Sequence, residues 1–194
     1  MNARRALFIA TFALFSFASS VANATPTRSD PTSPETPHAP FDSEGFPLGP
    51  QAWIEKGKVG QLSCSRYWAQ KSGKTPTGGQ SVFHLHGGSA NGIGDLVRTT
   101  KRGLLVTRFW YTRMLEPQTV MITGLTRDGV FLVEDGKITQ PVHNFRYNES
   151  PVNVLKKVDA MTRETFRVQS WGGVWRVPAL RTHDFRMASV SEAV

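Results

Sequence analysis

The stretch GLLVTRFWYTRMLEPQTVMITGLTRDGVFLVEDGKITQPV, residues 103 to 142, decides how this chain folds. Its first part, residues 103 to 115, is a β-branched and aromatic run with bulky side chains at both odd and even positions. A strand buried on at least one side fits that pattern. Two Asp-Gly pairs follow, Asp128-Gly129 and Asp135-Gly136, each between apolar runs. Asp-Gly supplies the positive φ that a two-residue hairpin turn needs. The expectation is a meander of three or four antiparallel strands.

Upstream, AWIEKGKVGQL alternates about Lys56-Gly57 and predicts another hairpin. The form apolar-Glu-x-Gly-Lys-apolar occurs in both IEKGKV and VEDGKI, which is hairpin chemistry used twice rather than a repeat architecture. Helix signals are few. Residues 94 to 102, GDLVRTTKR, predict a short helix with Asp95 near its positive end and Lys101 and Arg102 near its negative end. NESPVNVLKKVDAMT predicts a second, with Ser150 as N-cap, Pro151 at the first helical position and Val154, Leu155 and Val158 on one face. Beyond it, short strands resume, broken at Gly172-Gly173 and Pro178. The fold class is therefore α+β, strand-dominated and antiparallel, with one or two short helices.

The N-terminal segment reads differently. MNARR is basic, ALFIATFALFSFASS is apolar, and VANA closes on a small-x-small pattern. Residues 1–24 are read as a secretory signal peptide cleaved near Ala24, its apolar core being too short to span a membrane. The expected destination is the periplasm or the exterior, with no membrane attachment after cleavage. Residues 25–40 are rich in Pro, Ser and Thr and poor in apolar groups, so they predict a disordered tether. The globular domain is expected over 41–194. Removing Arg4 and Arg5 with the leader lowers the net charge from +8 to +6. The remaining basic residues are interleaved with acids, which argues against a nucleic-acid footprint. Cys64 is the only cysteine, so no internal disulfide can form.

The segments SRYWAQKSGKTPTGG, RGLLVTRFWYTRMLEPQTVMITGLTRDGVFLVEDGKI, VHNFRYNESPVNVL and VPALRTHDFRMASVSEAV resemble, in order, the C-terminal domain of the TldD/PmbA family. The resemblance runs from about Phe41 to Val194. It implies a barrel-like or sandwich-like, mostly β domain of zinc metallopeptidases that act on peptides and are also labelled modulators of DNA gyrase. It further implies paired subunits, so a TldD/PmbA-type partner is expected, in a homo- or hetero-dimer, with peptide substrate held only in such a complex.

The catalytic subunits take two zinc ligands and a general base from an H-E-x-x-x-H helix, and a third ligand from a cysteine near the C-terminus. This chain carries no such motif, and QSWGGVWRVP at the corresponding place has no cysteine. No catalytic residue and no cofactor are expected for this chain, although zinc serves the catalytic relatives. The leading reading is an exported domain that is non-catalytic alone and acts by pairing with a fuller subunit. An active periplasmic metallopeptidase with a rebuilt site, or a truncated fragment without independent function, are the rivals. A basic DNA-binding module is a further reading, and the exported destination argues against it.

Local candidates remain. In SVFHLHGGSANGIGD, His84 and His86 would share one face of a strand, a spacing some metal sites use, but a third ligand would have to arrive from His143 or His183. The same stretch lacks the G-x-S-x-G elbow that an esterase needs, and it puts Asp95 where a phosphate loop needs Lys or Ser/Thr. The favoured reading is a strand leading into a turn and a short helix, its histidines at an edge or surface. In RYNESP, Asn148 and Ser150 satisfy the start of the following helix while Glu149 favours its positive end, or else Arg146, Asn148 and Glu149 line a cleft that holds a peptide backbone; capping is preferred. Phe109, Trp110 and Tyr111 are read as core, and Cys64 has no partners that would make it a nucleophile.

Overall fold

The computed structural model describes residues 5–8, 27–55, 58–60, 62–79, 82–170 and 173–192. In chain order these form strands β1 (Arg5–Phe8), β2 (Thr27–Ser29), β3 (Gln51–Glu55) and β4 (Lys58–Val59), then helix α1 (Arg66–Ser72) and strand β5 (Phe83–Leu85). Helix α2 (Ile93–Arg98) precedes the long strands β6 (Arg102–Glu116) and β7 (Met121–Glu134). After them come β8 (Lys137–Val142), β9 (Asn144–Glu149), helix α3 (Pro151–Lys156), β10 (Val158–Ser170), β11 (Gly173–His183) and β12 (Met187–Ser191). The expected strand-dominated α+β class holds, with mixed pairing, and the described strands form open ladders rather than a closed barrel.

The chain divides into two compact units. The first comprises residues 1–21, 88–164 and 178–194, and its ladder runs β12-β9-β7-β6-β1-β11, with β8 also on β7. Its core gathers Leu104, Val106, Phe109, Val130, Leu132 and Tyr147, joined by Val154, Leu180 and Phe185. The second comprises residues 22–87 and 165–177, and its ladder runs from the start of β11 through β5, β2 and β3 to β4. Phe83, Trp175 and Val177 are its buried centre, with Trp53 packed against them. Burying such aromatic and β-branched surface is the main favourable term in each unit.

Asp135-Gly136 makes the expected hairpin turn: Glu134 pairs with Lys137, and both turn residues take positive φ, 46° and 78°. Asp128-Gly129 does not. Strand β7 runs straight through it, because Val106 pairs with Val130 while Arg108 pairs with Arg127, leaving one extra residue on β7. The pair is a β-bulge, with Asp128 at φ 63° and Gly129 at φ 125°. Thr107 Oγ1 donates to the Arg127 and Gly129 carbonyls (3.2 and 2.9 Å), which satisfies the interrupted ladder. The turn between β6 and β7 is instead at residues 117–120.

Four further expectations are corrected. Of the expected disordered tether, residues 27–40 are described and are packed into the fold: β2 pairs with both β3 and β5, and Ser29 and Thr36 are fully buried. Hydroxyls replace apolar surface here, Ser29 Oγ accepting from Trp53 Nε1 at 2.7 Å. Pro178 does not break β11, for it lies between Arg176, which pairs with β5, and Leu180, which pairs with β1. The α2 helix ends at Arg98, since Arg102 already begins β6, and Val158 belongs to β10 rather than to α3. Helix α1 was not anticipated, although Ser65 accepts from Trp68 N and Gly73 closes it at φ 67°. The hairpin of β3 and β4 is present through Ile54–Val59 and Glu55–Lys58; its Lys56-Gly57 turn, the leader after Phe8 and Trp171-Gly172 lie outside the described residues.

Candidate functional site

His84 sits on β5, which pairs with β11 on one side and β2 on the other, so it is central in its unit and not an edge residue. It is buried, and its Nε2 lies 2.6 Å from Thr36 Oγ1. Burial holds its pKa below the ordinary imidazole value, helped by His86 and Arg176, against Glu35 and Asp30, which raise it. His86, past the strand end, is exposed, with ring centroids 5.9 Å apart. The pair thus shares a direction, as a strand requires, but one ring is committed to a buried hydroxyl. His143 and His183 belong to the other unit. Among the described residues no group of three or more His, Cys, Asp or Glu side chains comes together as a metal-holding set.

The glycines that follow have a packing reason. A Cβ on Gly88 would overlap the backbone of Thr162, so this position admits the close approach of β10. Ala90 N donates to the Met161 carbonyl at 3.1 Å and Arg163 N to the Ala90 carbonyl at 2.7 Å. The stretch is a strand, a turn fastened to β10, and helix α2, as read.

On β9, Arg146 is exposed and Asn148 half-buried on one face, while Tyr147 and Glu149 are buried on the other. The three residues proposed to line a cleft therefore do not converge. Glu149 is only 6 % exposed, its Oε1 accepting the Ser150 N–H (2.9 Å) and its Oε2 the Arg186 N–H (3.0 Å). It fastens the start of α3 to the chain before β12. Ser150 occupies the N-cap position, but its hydroxyl donates to the Thr119 carbonyl at 3.0 Å rather than capping the helix.

A polar cluster that the sequence reading missed lies on β10 and β11. Asp159 receives Arg181 Nε at 2.8 Å and Nη2 at 3.1 Å, and its Oδ2 lies 2.7 Å from His183 Nε2. Arg181 Nη1 also donates to Thr99 Oγ1 (2.8 Å) and to the Leu96 carbonyl (3.4 Å), beside the end of α2. A cation there suits the helix dipole. Burial pushes the Asp159 carboxyl up, but the hydrogen bonds from Arg181 and His183 more than offset this, and its pKa is lowered. Arg181 and His183 being two apart on a strand was the available signal.

Of the aromatic trio on β6, Phe109 is core, stacked on Phe185 and edge-on to Tyr147. Trp110 and Tyr111 are not. Tyr111 is 60 % exposed, and each carries a guanidinium over its ring: Arg108 on Trp110 at 4.4 Å, Arg113 on Tyr111 at 4.3 Å. Cys64 is half-buried, its Sγ 3.8 Å from the Ser65 carbonyl.

These features define a β-rich domain whose polar residues mostly fasten strands and helices together. The family model for the PmbA/TldA metallopeptidase C-terminal domain matches residues 26–189, and the chain belongs to that family. Its fold is similar to TldE from Thermococcus kodakarensis, with a TM-score of 0.72 and 19 % identity, covering 87 % of this chain and 41 % of that one. It is also similar to a candidate modulator of DNA gyrase from Bacteroides thetaiotaomicron (TM-score 0.70, 21 % identity, 88 % and 37 % covered). A comparable protein from Thermotoga maritima gives 0.69, 18 % identity, and 87 % and 40 % covered. The chain spans about two-fifths of the length of these solved relatives. No curated protein matches it.

Proposed function

We propose that this chain is an exported, non-catalytic TldD/PmbA-type C-terminal domain that acts by pairing with a fuller subunit of its family. The observation that carries the reading is the fate of the histidine pair. His84, the better placed of the two, spends its Nε2 on Thr36 inside the second unit, which leaves His86 without its neighbour as a co-ligand. Zinc in catalytic sites takes three protein ligands, and neither this pair nor the sequence supplies the family's set. The residues after β5 and along β9 are likewise occupied in fastening backbone, with Glu149 held by two N–H groups. Peptide handling then falls to the partner, this domain contributing surface and stability to the complex.

The test uses the purified full chain with zinc and an unfolded polypeptide substrate, alone and together with a zinc-bearing TldD-type subunit from the same genome. The chain alone is expected to leave the substrate intact and to sediment with the subunit as one complex. Zinc-dependent cleavage by the chain alone, lost in the His84→Ala/His86→Ala double variant, would sink this reading and establish a rebuilt site.

A further inference from the structure

Four arginines far apart in the sequence meet on one face of the first unit. Arg108 on β6 pairs with Arg127 on β7. Two positions along, Trp110 pairs with Leu125, and Leu125 with Arg146 on β9. After a bulge in β6 the next row is Arg113, Thr123 and Asn148. Paired residues of neighbouring strands project to the same side, and residues two apart share a face. This side meets solvent: Arg108, Arg113 and Arg146 are exposed, while the alternate residues Gly124, Thr126 and Tyr147 are buried. Asp128, beside these rows, bonds Arg108 at 2.7 Å, so four guanidinia face one carboxylate.

Aromatic rings lie among these cations. Arg108 stands over Trp110 at 4.4 Å and Arg127 at 5.7 Å. The bulge holds Tyr111 at φ 54°, in the left-handed region, and leaves its side chain largely exposed. Arg113 reaches back to it, Nη2 donating to the phenol oxygen at 2.8 Å. Backbone strain of this kind concentrates where chains hold ligands. Toward the turn, Met114 and Leu115 are 56 and 53 % exposed. The acid that follows them, Glu116, is directed at the Gln118 N–H (3.1 Å).

We infer that this face is a docking surface for an anionic lipid bilayer. Its arginines would meet headgroup phosphates, Trp110 and Tyr111 the headgroup level, and Met114 and Leu115 the acyl boundary. Charge complementarity selects an anionic partner, and the guanidinium fork matches phosphate. Trp and Tyr favour the membrane–water interface. Apolar burial combined with attraction to anionic lipid is the basis of peripheral attachment. Single-stranded nucleic acid or an acidic peptide would satisfy the arginines and leave Met114 and Leu115 in water. The same face of a second copy would set arginine against arginine. Sequence alone predicts no such attachment, because strand register is what gathers residues 108–146 into one patch. The inference stands apart from the pairing proposed above.

The experiment sediments the full chain with vesicles of phosphatidylglycerol and phosphatidylcholine, and with vesicles of phosphatidylcholine alone. The wild type is expected to prefer the mixed vesicles. Arg113→Gln/Arg146→Gln should bind them roughly twentyfold more weakly, about fivefold for each arginine, with binding to the neutral vesicles unchanged. The apolar N-terminal segment is common to both chains, so the difference reads the face. Mixed vesicles should also shift tryptophan fluorescence to the blue, less so in Trp110→Phe. If the arginine variant melts early, Met114→Ser/Leu115→Ser, which keeps every charge, should weaken binding to the mixed vesicles in its place. Equal binding by wild type and variant, or a blue shift that is absent or undiminished in Trp110→Phe, overturns the surface. Affinity for single-stranded DNA or polyglutamate without preference for anionic vesicles overturns the lipid in favour of that polyanion. Binding of a TldD-type subunit that is lost in the arginine variant, again without vesicle preference, overturns it in favour of a protein.

Discussion

The Nε2 of His84 and the Oγ1 of Thr36 lie 2.6 Å apart inside the second unit, joining β5 to a segment whose composition predicts disorder. The imidazole is buried and its pKa is depressed, burial being the largest cause. The folded state therefore binds the proton less readily than the unfolded chain. Between the folded pKa and the ordinary value of 6.5, the unfolded state holds more protons, so stability rises with pH. Thermal melts of the full chain should lose Tm as pH falls from 7 to 5. His84→Gln, which keeps a hydrogen-bonding group toward Thr36, should flatten that slope. An identical slope in the variant would assign the acid sensitivity elsewhere.

Glu149 gives a prediction of opposite emphasis. It was a substrate-binding candidate, and the structure buries it with two backbone N–H donors. Glu149→Ala leaves both donors without their acceptor, which should cost about 2–5 kcal/mol of stability. Glu149→Gln keeps one carbonyl oxygen and should cost less, about 1–2 kcal/mol. Urea unfolding measures both. Arg146→Ala, exposed on the other face, should change stability by no more than about 0.5 kcal/mol. Equal effects at Glu149 and Arg146 would contradict the fastening role.

Two glycines should respond in opposite ways to the same change. Gly124 faces Tyr147 across β7 and β9, and an added Cβ would stand 2.5 Å from the phenol oxygen. Tyr147 cannot swing away freely, because it is fully buried and its hydroxyl bonds Thr112 at 2.6 Å. Gly124→Ala should destabilise by about 1–3 kcal/mol through overpacking. Gly94, inside α2 with nothing within 4 Å of its Cβ position, should gain about 0.5–1 kcal/mol on Gly94→Ala. A stabilising Gly124→Ala would mean the β7–β9 contact is looser than its geometry.

The fold class, the β3–β4 hairpin, the Asp135-Gly136 turn and helix α3 were legible because each rests on local chemistry. The Asp128-Gly129 bulge was not: the same dipeptide serves a turn or a bulge, and the register of β6 against β7 decides which. Residues 25–40 misled for a related reason. Their hydroxyls bury well only because Trp53 and His84, far along the chain, supply the partners. The candidate residues were readable in the sequence only as local motifs, whereas the placement of Glu149 and of Asp159 required knowing which strands are neighbours.

Asp159 carries the last prediction. Its carboxylate takes a two-point contact from Arg181 and a third from His183, and Arg181 is only 9 % exposed. Asp159→Asn leaves that guanidinium with neutral acceptors alone, Thr99, Thr100 and the Leu96 carbonyl. The loss should be about 1–3 kcal/mol, the range for hydrogen bonds to charged groups, since the carboxylate itself is a third exposed and partly screened. Because its folded pKa is lowered, its contribution is complete above the ordinary carboxyl value of 3.8 and is lost as pH falls through the folded value. The variant should therefore lack part of the wild-type decline in stability below about pH 4. A double-mutant cycle with Arg181→Met should show coupling, because both changes remove the same contact. Strict additivity would mean that α2 is held to β11 by packing, and that the ion pair is incidental to the fold.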